Sequence, residues 1–231
     1  LGLSAMAIPD VHEDTATMGA NAVARVIDRN KIEPQKIGRI YLGTESALDG
    51  SKPTATYIMD MLEQRYEKKH GADCFRNCDV VDMTFACIGA VDAMHNTLDW
   101  VARGGPDQDR MGIVVFADNA KYDLGSSGEY TQGAGGGAIL IRHNPRLLVI
   151  PDIWGVSTMP VHDFSAPESS YFPSMEVMIP WEATNVCASI FSTSSKYLSA
   201  RDDSPPSAAT VLTTPRFTSK RSMCRGMSEG I

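Results

Sequence analysis

Between Asp14 and Ala117 the chain alternates helix-like and strand-like patterns, and this alternation restricts the fold more than any other feature. Asp14-Thr15 precedes a helix start, and Met18, Ala22, Val26 and Ile27 recur at helical spacing up to Asn30. Residues 38–43 read as a short strand. Pro53 stands near the start of an amphipathic helix with Tyr57, Ile58, Met61, Leu62 and Arg65-Tyr66. Residues 79–84 read as a second strand. Ile88, Val91, Met94, Leu98 and Val101 mark a third helix, closed by Gly104-Gly105-Pro106. Residues 111–117 are almost wholly apolar, as befits a strand covered on both faces. Strands alternating with helices of this length predict an α/β chain with parallel strands and right-handed crossovers.

After Asp118 the pattern changes. A Gly/Ser-rich loop, Gly125-Ser126-Ser127-Gly128, leads to the glycine run 133–137 and then to two apolar strands, 138–141 and 147–150. Asn144-Pro145 between them predicts a hairpin. From Arg201 onward Ser, Thr, Pro, Arg and Lys dominate, with too little apolar surface to offset the entropy of ordering. That stretch is expected to be disordered.

Charge and length exclude several classes. The net charge of −7 argues against a nucleic-acid surface, which needs clustered Lys and Arg. No apolar run approaches the roughly 18 residues that span a bilayer, so no membrane partner is expected. Five scattered cysteines (Cys74, Cys78, Cys87, Cys187, Cys224) do not make a secreted disulfide framework and point to a reducing, cytoplasmic setting. The chain opens at Leu1 with neither an initiator Met nor a signal-peptide pattern, which reads as a missing beginning.

The chemistry concentrates at strand ends. Cys87 falls where a strand ends and a helix begins, where unpaired N–H groups and the helix dipole favour a thiolate nucleophile; a small buried hydrophobe fits the position too. Glu45 occupies the same kind of place one strand earlier. It suits a partly desolvated general base, or equally a loop carboxylate capping the next turn. Both stand where ligands of parallel α/β sheets bind. Asp118, at the expected end of the third strand, is a third candidate, with orienting hydrogen bonds as its simpler role. The run 133–137 precedes a strand and lacks Gly-Lys-Ser/Thr, so it is neither a dinucleotide fingerprint nor a phosphate loop. Close backbone packing or an acyl-chain tunnel suits it better. His70, Cys74 and Cys78 share helical spacing, but Gly71 interrupts them and a fourth ligand is missing, so no metal site is expected. His95 and His143 read as a helix and a turn residue, and Met59, Met61, Met94 and Met111 as core fillers.

Several segments in register resemble one family. They are Glu13-Asp14-Thr15-Ala16-Thr17-Met18, Gly43-Thr44-Glu45-Ser46-Ala47-Leu48-Asp49 with Ser51-Lys52, and Phe85-Ala86-Cys87. Ala117-Asp118-Asn119-Ala120-Lys121-Tyr122, Gly128-Glu129-Tyr130-Thr131-Gln132-Gly133-Ala134-Gly135 and His162-Asp163-Phe164 follow in order. From about Ala5 to Pro173 the chain is similar to 3-hydroxy-3-methylglutaryl-CoA (HMG-CoA) synthase, in its archaeal or bacterial form. The resemblance implies a thiolase-like layered fold, with residues 1–175 supplying the first α/β half as a mixed sheet with flanking helices. It further implies an acyltransferase of the mevalonate route to isoprenoids. Cys87 would be acylated by acetyl-CoA, and Glu45 would be the general acid/base that takes a proton from the acetyl methyl group. The resulting carbon would add to acetoacetyl-CoA, and hydrolysis would release HMG-CoA. Asp118 and Asp163 match site-supporting acids, and Thr131 matches the acyl pocket that binds substrate. The coenzyme A thioesters are substrates, and no further cofactor is implied. Family dimers imply a homodimer.

The chain also departs from the family. The third catalytic group there is a histidine in Phe-His-x-Pro-Phe/Tyr, yet no histidine here follows His162, which itself falls at a non-catalytic family position. Residues 176–231 depart altogether and read as an atypical, disordered tail, as a slip of the reading frame would produce. The polypeptide is therefore expected to be an incomplete, inactive fragment. Two rival readings share its residues: a polyketide β-branching enzyme acting on carrier-protein substrates, and a non-catalytic remnant that binds a complete partner.

Overall fold

The computed structural model describes residues 4–105, 108–126, 128–151 and 155–158. Asp163, the expected boundary at residue 175 and the tail beyond it lie outside the described residues, as do Cys187 and Cys224.

Seven main elements follow in chain order: α1 (Thr15–Asn30), β1 (Ile37–Gly43), α2 (Thr54–His70), β2 (Asp79–Met83), α3 (Gly89–Gly104), β3 (Met111–Ala120) and β4 (Gly133–Arg142). Short-range chemistry accounts for several boundaries. Asp14 caps α1: its carboxylate accepts from Thr17 N at 2.7 Å while its own N–H donates to the Thr17 hydroxyl at 2.7 Å, a reciprocal capping box. Gly105, at φ 68°, ends α3 as the glycine pair predicts. Pro53 at the start of α2 offers no capping side chain; instead the Asp82 carboxylate of β2 accepts from Thr54 N at 2.5 Å and Ala55 N at 2.9 Å.

The sheet order is β2-β1-β3-β4. β1 runs parallel to both β2 and β3, as crossover connections through α2 and α3 require. β4 is antiparallel to β3 along its whole length, from Met111↔Arg142 to Ala120↔Gly133. Alternate residues of the central strands feed two cores. Ile40, Leu42, Ile113 and Val115 pack with Val23, Ile27, Ile58 and Leu62 of α1 and α2. Tyr41, Val114 and Ile141 pack on the opposite face with Ala93 and Val101 of α3. Each of these branched side chains contributes about 1.5–3 kcal/mol on burial, which explains the unbroken apolar run of β3. No helix among the described residues is long and apolar enough to cross a membrane.

Three sequence expectations need correction. The hairpin about Asn144-Pro145 does not form: residues 138–141 pair with β3, while Leu147, Leu148 and Val149 lie exposed outside any strand. Ala138 and Leu140 face one core and Ile141 the other, so burial holds residues 138–141 beside β3, whereas Leu147, Leu148 and Val149 gain no such burial. The glycine run 133–137 is the first half of β4 rather than its approach. There it allows close packing: a Cβ on Gly137 would lie 2.3 Å from the Phe116 ring, and one on Gly136 would lie 3.2 Å from Met18. Finally, β3 continues to Ala120, so Asp118 stands within the strand, opposite Gly135.

Candidate active site

Cys87 lies on the turn between β2 and α3, two residues ahead of Gly89, the first residue of that helix. The turn is tight: Ile88 N donates to the Phe85 carbonyl at 3.0 Å, and Ala86 adopts a left-handed φ of 42°. A non-glycine residue in that region carries a steric cost of about 1–2 kcal/mol, which the surrounding packing must overcome. The result is an exposed thiol side chain beside the positive end of α3. The alternative of a small buried hydrophobe therefore fails for Cys87. It describes Cys74 instead, which is 2% exposed, with its thiol donating to Glu63 at 3.4 Å and burial pushing its pKa up to about 11.

Glu45 follows β1 by two residues, and the two strand ends bring it to the thiol. Cys87 Sγ lies 3.9 Å from Glu45 Oε2, although the residues are 42 positions apart. Two glycines allow this approach. A Cβ on Gly43 would lie 2.0 Å from Ala90 N, and one on Gly89 would lie 2.4 Å from the Met83 carbonyl oxygen. The end of β1 thus touches the first turn of α3 backbone to backbone, which only glycine permits.

Asp118 organises the loop that carries Glu45. Its Oδ1 accepts from the Thr44 hydroxyl (2.7 Å), Glu45 N (2.8 Å), Ser46 N (3.2 Å) and the Ser46 hydroxyl (3.0 Å). From α1, the Thr15 hydroxyl donates to the Ser46 carbonyl at 2.8 Å. This carboxylate orients the neighbouring backbone, the simpler of its two expected roles. Capping of the next turn by Glu45 does not occur, because that duty belongs to Asp82.

Sequence reasoning singled out no role for Tyr122. Its hydroxyl donates to Glu45 Oε1 at 2.8 Å, leaving Oε2 toward the thiol. Burial pushes the Glu45 carboxyl above its ordinary range, and the Asp118 charge adds to this; the Tyr122 and Cys87 contacts act in the opposite direction. A carboxylate so raised is a stronger base and operates closer to neutral pH. Burial, and the negative charge of Glu45 to which it donates, hold the Tyr122 phenol well above its usual value; the Thr131 hydroxyl opposes them. Thr131 itself sits on the helical turn Glu129–Thr131, with its hydroxyl on the Gly128 carbonyl at 2.8 Å. The structure therefore gathers Cys87, Glu45, Asp118 and Tyr122 at the carboxyl ends of the parallel strands, with Thr131 behind Tyr122.

The remaining polar candidates lie apart from this cluster. Cys78 reaches the Asp79 carbonyl at 3.8 Å, His143 pairs with the Val101 carbonyl at 2.9 Å, and the His70 ring packs on Tyr66.

Known proteins resemble this chain in sequence and in fold. Residues 1–145 match a family model described as the N-terminal part of hydroxymethylglutaryl-coenzyme A synthase. The HMG-CoA synthase of Haloferax volcanii is 40% identical over 176 residues, which cover 76% of this chain and 38% of that protein. The solved structure of MvaS in complex with 3-hydroxy-3-methylglutaryl coenzyme A superposes with a TM-score of 0.62 at 30% identity, over 74% of this chain and 38% of that one. An HMG-CoA synthase complexed with CoA superposes at 0.57, also at 30% identity, over 73% and 39%. The chain thus spans about two fifths of the length of these relatives, and its mixed sheet with helices on both faces has their thiolase-like fold. With strand ends, glycine contact and family match in agreement, this chain belongs to the hydroxymethylglutaryl-CoA synthase family, to whose N-terminal part it corresponds.

Proposed function

We propose that this chain carries the acyl-forming and proton-abstracting groups of an HMG-CoA synthase, with Cys87 as nucleophile and Glu45 as general acid/base. The observation that carries the reading is the 3.9 Å approach of Cys87 Sγ to Glu45 Oε2, with Tyr122 holding the other carboxylate oxygen. In the first step the Cys87 sulfur attacks the acetyl carbon of acetyl-CoA, the C–S bond to coenzyme A breaks, and the coenzyme leaves as its thiol. Glu45 then accepts a proton from the methyl group of the acetyl-cysteine. The new carbanion-like carbon adds to the ketone of acetoacetyl-CoA, whose oxygen takes up the proton held by Glu45 and becomes the hydroxyl of the product. Water finally cleaves the Cys87 thioester, giving HMG-CoA and the regenerated thiol.

Asp118 supports the site by fixing the Glu45 loop, and Asp163 and Thr131 are assigned to site support and the acyl pocket. The same reading takes the mevalonate route, the cytoplasm and a homodimer as the setting. The relatives bound to CoA and HMG-CoA support thioesters as the substrate class. Residues 1–175 are taken as the catalytic half and 176–231 as an atypical tail. No histidine follows His162, so the 231-residue polypeptide is expected to acylate without completing the condensation.

Incubation of the polypeptide with acetyl-CoA tests the assignment. Peptide mass spectrometry should find an acetyl adduct on Cys87, absent from Cys87→Ala. Glu45→Gln should keep the adduct and lose exchange of its methyl hydrogens with deuterated water. An unmodified Cys87, or an adduct that persists on another residue in Cys87→Ala, overturns the reading.

A further inference from the structure

Two crossed contacts tie the Glu45 loop to the Cys87 turn. The first is the backbone meeting of Gly43 with Gly89 and Ala90, which links the strand before Glu45 to the helix after Cys87. The second runs the other way: Asp82, on the strand before Cys87, holds the helix that follows Glu45. Its two oxygens accept from Thr54 N at 2.5 Å and Ala55 N at 2.9 Å, satisfying N–H groups that α2 cannot cap for itself. Thr54 is fully buried, and its hydroxyl accepts from Leu48 N at 2.9 Å, so the capped residue also grips the middle of the Glu45 loop. The next residue of β2 completes the link, because the Met83 carbonyl accepts from Thr44 N at 3.3 Å.

We propose that Asp82 is a positioning residue: by capping α2 from the strand that leads into Cys87, its carboxylate sets the separation of Glu45 from Cys87. This rests on the reading of those two side chains as the reacting pair. Asp118 fixes residues 44–46 from β3, and Asp82 fixes the far end of the same loop from β2. Without Asp82, two N–H groups at the start of α2 lose their acceptors and the loop is held at one end only.

The test follows alkylation of Cys87 by iodoacetamide against pH, using peptide mass spectrometry to read this cysteine separately from the others. Among the described residues, the titratable groups facing the thiol include Glu45 from the β1 loop, backed by Asp118 of β3, and the neutral Tyr122 phenol. Removing the Glu45 charge by Glu45→Gln should lower the alkylation midpoint by roughly three quarters of a pH unit or more, since one charge at about 4 Å has that effect even in bulk water. Asp82→Asn should lower it in the same direction in the parent protein and add nothing in the Glu45→Gln background. Asp82→Glu keeps the charge and moves the two acceptor oxygens one methylene away from Thr54 N and Ala55 N. It should give the same background-dependent shift, and it carries the test if Asp82→Asn does not fold. A purely structural cap would lower the melting temperature and leave the midpoint where it was.

An equal shift from Asp82→Asn in both backgrounds is a through-space charge effect and overturns the proposal. So does a midpoint unmoved by Asp82→Asn and Asp82→Glu where Glu45→Gln moves it. A midpoint unmoved by Glu45→Gln overturns the reacting pair itself, and this inference with it.

Discussion

Adding one methyl group at Gly43 should damage both stability and the site. An alanine Cβ there would lie 2.0 Å from Ala90 N, 2.4 Å from Ala90 Cα and 2.5 Å from the Gly89 carbonyl carbon. All three are backbone atoms, so no side chain can swing aside. Real Cβ contacts do not fall below 3.0 Å, so the first turn of α3 must retreat by at least about 1 Å. Gly89 follows Cys87 by two residues, so the retreat carries the thiol away from Glu45. Overpacking of this kind costs about 1–3 kcal/mol, and contact with backbone places Gly43→Ala at the upper end. For a chain of this size that is roughly a 5–10 °C fall in melting temperature. Displacing a reacting atom by about 1 Å costs on the order of 10²-fold in rate. Thermal unfolding by circular dichroism and the rate of acetyl-adduct formation on Cys87 measure the two effects. Gly50→Ala is the control, since its Cβ would meet nothing within 4 Å, and it should change neither. A Gly43→Ala protein with the parent melting temperature and acylation rate would refute the claim that glycine contact holds the site together.

Other predictions follow from the polar groups. Asp118→Ala removes the acceptor of four hydrogen bonds and should lower stability by about 2 kcal/mol or more, while Asp118→Asn, which keeps one oxygen, should cost less; equal melting temperatures would contradict the network. Burial of Glu45 raises its carboxyl pKa, so its ionisation opposes folding as pH rises above the ordinary glutamate value of 4.5. Glu45→Gln should therefore melt higher than the parent at neutral pH, with the gain vanishing below about pH 4.5. Asp28 has the opposite sign. Burial pushes its carboxyl up, but the Tyr66 hydroxyl at 2.7 Å and Arg65 at 3.0 Å outweigh it and hold the value below 3.8. Its contribution is fully present above pH 3.8 and is lost as pH falls through the lowered value. Asp28→Asn should thus lower the melting temperature at neutral pH, and the deficit should close in acid.

The strand-end rule made Cys87 and Glu45 legible as candidates, because a βα junction is readable from local pattern alone. Tyr122 was visible only as part of a motif. Its partner lies 77 residues away, and nothing in the surrounding residues shows that the loop after β3 folds back over Glu45. Asp82 was hidden for the same reason, being an alternate residue of a short strand whose target is 28 residues upstream. The hairpin expectation failed because two neighbouring apolar segments look like partners, whereas only the first buries its side chains in the cores and the second stays exposed. Glycines 133–137 concealed half of that strand, since a residue without a side chain leaves no period to read.

Local sequence determined where α1 begins and where α3 ends, because caps and glycines act within a turn or two of chain, whereas α2 takes its cap from β2. It also determined that β1, β2 and β3 run parallel, because helices of that length between strands leave little other route. Tertiary structure alone decided which strand ends meet, how closely, and which carboxylate faces the thiol. Those outcomes depend on contacts between residues tens of positions apart, such as Gly43 with Ala90 and Glu45 with Cys87, and their free energy exists only once both cores have closed on the sheet.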